Sequence, residues 1–293
     1  MMTARRAVLS VASLSTPSRP LLKHEYHALM PLGRKTILQL LLDELVAAGA
    51  TSICFLAGHG SEAVREFVQT WREGGFRACA DDFGAPAPPR MVDVHWVSHE
   101  PTTDYGDALL EARAFVGDEP FILSTTEAPM CHVGTSDLLL GRMTKTMEVT
   151  GADGVVAVQD ISRLDVSTRT VVEPLGNPGA VPHFVVGSVR HQPFPQDDGG
   201  RAGLMNRYVL SPLIFDYLEE QGAQGPGGPR LTAALNRMAR DREALWAVRM
   251  QSGELCLDLS SFLLYSRAFI QFSLQDPEVG IALQDYVRSL VAQ

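Results

Sequence analysis

Continuous apolar runs alternate with amphipathic stretches from the start of the chain. Ala7-Val8-Leu9-Ser10-Val11-Ala12 has almost no polar position, the pattern of a strand buried on both faces. From Thr36 onward, Ile37, Leu38, Leu41, Leu42, Leu45 and Val46 recur at helical spacing, with Thr36 placed to cap the helix and Gly49 to stop it. Ser52 to Ala57 predicts a second buried strand and Glu62 to Trp71 a second helix. The alternation continues with a strand at Val92 to Val97, a helix at Asp107 to Phe115, a strand at Pro120 to Leu123, a helix at Asp137 to Val149 and a strand at Gly154 to Val158. Such alternation requires right-handed crossovers, and so predicts an α/β fold with a mainly parallel central sheet and helices on both faces.

Beyond residue 160 the texture changes. Short β-like pieces at Thr170 to Glu173 and His183 to Gly187 precede helical stretches at Ser211 to Glu220, Leu231 to Arg240, Phe262 to Leu274 and Val279 to Val291. The Gly/Pro-rich stretches Phe83 to Arg90 and Gly222 to Pro229 read as surface loops, so the expectation is one domain over residues 1–293. Residues to about 160 make one half of it, and about 161–293 the second half with the C-terminal helices.

Composition narrows the function. With 45% hydrophobic and 20% charged residues, the 293-residue chain is an ordinary globular one. Lys plus Arg at 25 against Asp plus Glu at 34 gives a net charge of −9, which repels nucleic-acid backbones and anionic membranes. Cys54, Cys79, Cys131 and Cys256 form no C-x-x-C pair, and no run has the roughly 18 apolar residues of a membrane span. A cytoplasmic protein that binds neither nucleic acid nor membrane is expected.

In an open parallel sheet, ligands bind beyond the carboxyl ends of the strands, which directs attention to Ser13 to Lys35. That loop and its flanks, Ala7 to Thr16, then Met30-Pro31-Leu32 and Ile37-Leu38-Gln39, resemble the opening of bacterial UTP:glucose-1-phosphate uridylyltransferases. Val116-Gly117-Asp118-Glu119-Pro120-Phe121, Arg207-Tyr208-Val209-Leu210-Ser211, and Leu257-Asp258 with Asp276-Pro277-Glu278 resemble the same family in the same order. The resemblance implies a Rossmann-like nucleotidyltransferase domain, a nucleotide or nucleotide sugar as ligand, magnesium as cofactor and assembly into homo-oligomers. The chemistry it implies is in-line attack of a sugar 1-phosphate on the α-phosphorus of UTP, releasing pyrophosphate.

Carried onto this chain, the resemblance places the triphosphate loop G-x-G-T-R at Ser13-Leu14-Ser15-Thr16-Pro17, with β-carbons where glycines stood and a proline where the arginine stood. Lys23 matches a family lysine, while Tyr26-His27 occupies a proline-lysine pair that contacts phosphate. Tyr105-Gly106-Asp107-Ala108 falls on the turn that meets the uracil, with Asp104 in place of a glycine. Thr126, beside Glu127, falls on the magnesium aspartate. His191-Gln192-Pro193 occupies a glutamate-lysine-proline that serves the sugar phosphate, and Asp258 is the second metal aspartate, followed by Ser260 and Phe262 where the family has glycine and lysine. The cofactor-binding candidates are therefore Ser13, Ser15, Thr16, Lys23, Tyr105, Gly106, Thr126 and Gln192, and the catalytic candidates are His27, His191 and Asp258. Asp258 is either a metal ligand or the cap of the following helix. Three functions follow from these replacements: a ligand-binding or regulatory homologue with impaired transfer, an active uridylyltransferase, or a new enzyme in which His27 and His191 move protons.

Overall fold

The computed structural model describes residues 4–11, 27–58, 61–74, 91–99, 104–126, 130–132, 138–161, 170–191, 202–220, 230–241, 244–257, 259, 262–276 and 278–291. Its first half alternates as the pattern predicts. β1 (Arg6–Ser10) leads through a 3-10 turn at His27–Leu29 and the small hairpin of β2 (Pro31–Leu32) and β3 (Lys35–Thr36) into α1 (Ile37–Ala47). Then come β4 (Ser52–Ala57), α2 (Glu62–Arg72), β5 (Asp93–Ser98), α3 (Tyr105–Leu110), α4 (Arg113–Val116), β6 (Phe121–Thr125), β7 (Met130–His132), α5 (Leu139–Thr150) and β8 (Gly154–Asp160). The second half contains β9 (Thr170–Pro174), β10 (His183–His191), β11 (Ala202–Leu210), α6 (Leu213–Glu220), α7 (Arg230–Arg240), β12 (Leu245–Arg249), β13 (Glu254–Cys256), α8 (Phe262–Leu274) and α9 (Gly280–Val291).

One sheet of nine strands runs through both halves in the order β5-β4-β1-β6-β11-β8-β12-β10-β9. The parallel character holds for β5-β4-β1-β6 and for the β8–β12 pair. β11 runs against both β6 and β8, and β10 against both β12 and β9, so the sheet as a whole is mixed. A further β9–β11 pairing joins the two ends of the run β11-β8-β12-β10-β9.

Strand alternation sends neighbouring residues to two separate cores. Ala7 and Leu9 of β1, Ile53 and Phe55 of β4, and Ile122 of β6 pack on α1, α2 and α5. Val8, Cys54, Leu56, Phe121 and Leu123 face the other side, against α3, α4, α6 and α7. Thr36 caps α1 as expected, its hydroxyl accepting from the Gln39 amide at 3.1 Å, a bond whose loss costs about 1 kcal/mol. The helix expected at Asp107 to Phe115 is instead two short ones. The bond from Ala112 N–H to Leu109 O tightens the chain between them, and Gly117, at φ 62°, ends the second.

Candidate functional site

Three parallel strands end together at one edge of the sheet. Ser10 lies opposite Leu56 on one side and Thr125 on the other, and the pairing continues one residue further as Val11 N–H donates to Leu56 O and Thr126 N–H to Ser10 O. The loop after β1 departs from here. Its predicted residues Ser13, Ser15, Thr16 and Lys23 lie outside the described residues, as do Glu127, Gln192 and Asp258.

The end of β6 is unusually polar for a buried strand. Ser124, Thr125 and Thr126 are all buried, and among the described residues none of their three hydroxyls has a hydrogen-bond partner. An unpaired buried hydroxyl costs about 1–3 kcal/mol, so three in succession mark a place the fold alone does not satisfy. Thr126 brings a neutral hydroxyl where the resemblance expects a magnesium carboxylate. No group of three His, Cys, Asp or Glu among the described residues is arranged to hold a metal ion. Magnesium prefers carboxylates and water as ligands, and Asp258, the carboxylate that the resemblance offers it, lies outside the described residues.

Residues 104–106 turn out to have structural work of their own. The Asp104 carboxylate caps α3 by accepting from Gly106 N–H at 2.8 Å, and the same oxygen accepts from Arg230 N–H at 3.2 Å at the start of α7. A β-carbon on Gly106 would lie 2.9 Å from Arg230 Cβ and 3.0 Å from Leu231 N, so this glycine is required for helix contact. The Tyr105 hydroxyl donates to Ser124 O at 3.3 Å, tying α3 to the end of β6. Gln39 is buried near the cap of α1.

The two histidines are placed differently from one another. His27 opens the 3-10 turn, half-buried, its carbonyl accepting from Met30 N–H. His191 is the exposed last residue of β10, its Nδ1 3.1 Å from the Thr170 hydroxyl. Cys54 offers no nucleophile, because burial pushes its thiol up to about 12; of Cys131, the backbone lies in β7.

Two buried ion pairs support this edge, and sequence reasoning found neither. Arg207 of β11, fully buried and opposite Ser124, forks onto Glu44 of α1, with Nη2–Oε2 at 2.8 Å and Nε within 3.2 Å of both oxygens. Burial alone lowers the guanidinium's proton affinity, but the Glu44 charge and its hydrogen bonds outweigh this and the pKa is raised. The signal was present in α1: Glu44 sits seven residues after Ile37, on a stripe that is otherwise apolar. Arg142 of α5 forks onto the buried Glu254 at 2.8 and 2.6 Å. Glu254 begins β13, which pairs antiparallel with β7 so that Cys256 lies opposite Met130. The segment that follows Thr126 and the segment that leads to Asp258 thus meet this ladder at the same end.

No protein-family model matches the chain. It is 24% identical over 297 residues to a UTP–glucose-1-phosphate uridylyltransferase of Streptococcus pyogenes, covering 99% of itself and 95% of that protein. To a protein of the same name from Staphylococcus saprophyticus it is 23% identical, covering 99% of each. The UTP-bound UGPase of Acinetobacter baumannii shares its fold at a TM-score of 0.81 and 21% identity, over 98% of this chain and 99% of the other. A UDP-glucose pyrophosphorylase complexed with UDP-glucose does so at 0.77 and 18%, over 93% and 100%. The similarity to these uridylyltransferases runs the length of the sequence, and the fold is shared with both solved structures.

Proposed function

We propose that the chain, as one nucleotidyltransferase-like domain, binds a uridine nucleotide or nucleotide sugar beyond the ends of β1 and β6, and that uridylyl transfer is impaired. The observation that carries this reading is the end of β6: Thr126 contributes a neutral hydroxyl, and the hydroxyls of Ser124, Thr125 and Thr126 have no protein partner among the described residues. The sequence of the preceding loop supports it, since Pro17 stands in place of a phosphate-gripping arginine and Ser13 and Ser15 in place of glycines. Removing one preorganised charge-stabilising group commonly costs ~100- to 1000-fold in rate.

The test is a pair of measurements on the purified chain. UDP-glucose raises the melting temperature in a dose-dependent way, while UTP with magnesium raises it little. Pyrophosphate release from UTP and glucose 1-phosphate falls at least about 100-fold short of an active uridylyltransferase assayed alongside. Release at a matching rate overturns the impairment and leaves ordinary UDP-glucose synthesis. That second reading is favoured by the name borne by the full-length relatives and requires magnesium held by residues beyond those described here, Asp258 foremost. A third chemistry with His27 and His191 as proton carriers is tested by His27→Ala and His191→Ala, which abolish turnover of the true substrate if it operates.

The same reading has the chain assemble with copies of itself. Phe262 and Phe269, and Leu263 and Ile270, recur seven residues apart along α8, and all four are exposed. Copies meeting through this stripe remove it from water, as a large exposed apolar patch requires.

A further inference from the structure

A second cleft opens at the opposite end of the sheet from the loop that follows β1. Arg6 and Ser52, the first residues of β1 and β4, are register partners, and two residues further along Cys54 lies opposite His95 of β5. Strand alternation sends these side chains to one face, the face on which Cys54 packs with Ala112 and Val116. Between them and the segment that carries Glu111 and Phe115 lies a cavity of about 490 Å3, a size typical of small-molecule pockets. Roughly 13 Å of strand separates Arg6 from Ser10 at the candidate nucleotide edge, so the two places are distinct.

The lining has an aromatic part and two charged ends. The Phe115 ring stands 4.9 Å from the His95 ring, tilted by 51°. The buried Cys54 thiol, kept neutral by its raised pKa, adds no charge. Rings and sulfur favour contact with a further ring. At one end Arg6 donates to Val116 O at the close of α4 and so stays beside the cavity, while its guanidinium has more N–H donors than that bond uses. Glu111, exposed, lies before the start of α4, so the length of that helix, roughly 6 Å, stands between the two charges. Among the described residues, Arg6 and Glu111 form no ion pair with each other or with any other side chain. A ligand of one sign is attracted at one end and repelled at the other. A dipolar ligand satisfies both ends.

We propose that this cleft binds an aromatic amino acid, with its carboxylate at Arg6 and the Ser52 hydroxyl, its ammonium at Glu111 and its ring against Phe115 and His95. The site is separate from the nucleotide reading and does not depend on it.

L-Tryptophan, indole-3-propionate and tryptamine are titrated into the purified chain by calorimetry. The second lacks the ammonium and the third the carboxylate, so the ligand carries the deletions and Arg6 keeps its place at the end of α4. Tryptophan binds and both analogues bind more weakly. Tryptamine loses about tenfold, the scale of a hydrogen bond to a charged group. Indole-3-propionate loses about threefold, because Glu111 is exposed. Glu111→Gln weakens tryptophan about threefold and leaves indole-3-propionate unchanged. Ala114→Trp, an exposed position on the cavity wall, abolishes binding without lowering the melting temperature. Absence of tryptophan binding overturns the proposal, as do analogues that bind as tightly as tryptophan. Unchanged tryptophan affinity in either variant overturns it too.

Discussion

Arg207 with Glu44, and Arg34 with Asp276 and Glu278, use the same pair of chemical groups in opposite surroundings. The first lies between β11 and α1 with the arginine fully buried. The second lies at the seam where the β2–β3 hairpin meets the α8–α9 junction, with distances of 2.7 and 2.6 Å and partly exposed side chains. Distance barely separates the two; solvent does. In the core each charge depends on the other, because neither can be left unpaired without a large desolvation cost. At the seam water remains the alternative partner, so the bridges give direction more than strength. There Arg34 acts with the Tyr265 hydroxyl, which donates to Pro31 O at 2.8 Å, to orient the C-terminal helices against the hairpin.

Breaking the core pair gives the largest effect. Arg207→Met leaves Glu44 buried without its partner and costs about 3–5 kcal/mol in urea unfolding, while the double variant Arg207→Met, Glu44→Leu recovers most of it. A single-variant loss under about 1 kcal/mol would erase the contrast. Charging the exposed stripe of α8 with Phe269→Glu and Ile270→Glu yields a monomer by light scattering with a nearly unchanged melting temperature, if copies assemble there. A large loss of stability in the monomer instead makes those residues part of the chain's own packing. Arg34→Ala costs less, about 0.2–1 kcal/mol, and speeds amide exchange in α9 more than in β1.

Acid gives the smallest and most local effect. Asp276 has its pKa lowered: burial opposes this, but hydrogen bonds from the Val279 and Glu278 amides and the Arg34 guanidinium more than compensate. A depressed folded-state pKa contributes stability that is present above the ordinary carboxylate value and is lost as pH falls through the folded value. Arg34 has its pKa raised by the same partner, so its contribution is lost only far into the alkaline range. Hydrogen exchange therefore shows the start of α9 loosening below about pH 4, and Asp276→Asn shows the looser pattern already at neutral pH.

Where local pattern decides structure, the sequence was legible. The apolar run at Ala7, the spacing from Ile37 to Val46 with its Thr36 cap, and the alternation from Ser52 to Val158 correspond to elements in the places expected, save that the helix expected at Asp107 to Phe115 is divided into α3 and α4. β11 was not read as a strand because Met205-Asn206-Arg207-Tyr208 sets polar groups at its centre, and only Glu44, over 160 residues away, makes a buried arginine tolerable there. β12 was missed, and the three-residue β7 and β13 are too short to carry any periodicity. Near the end of β6, the resemblance draws attention to Thr126 and Tyr105, whereas the positive φ of Asn206 has no signal in the sequence. The resemblance sets Gly106 at the turn that meets the uracil, and its close approach to α7 is a packing requirement that only three-dimensional proximity reveals.

The Asp104 carboxylate terminates two helices at once. α3 and α7 belong to different halves of the chain, yet their first turns share one oxygen, so neither can tilt without disturbing the other's leading amides. Tyr105 carries that constraint to the backbone of Ser124. Any movement of α7 is thereby felt at the end of β6, giving the two halves of the chain a rigid mechanical joint made from a single side chain.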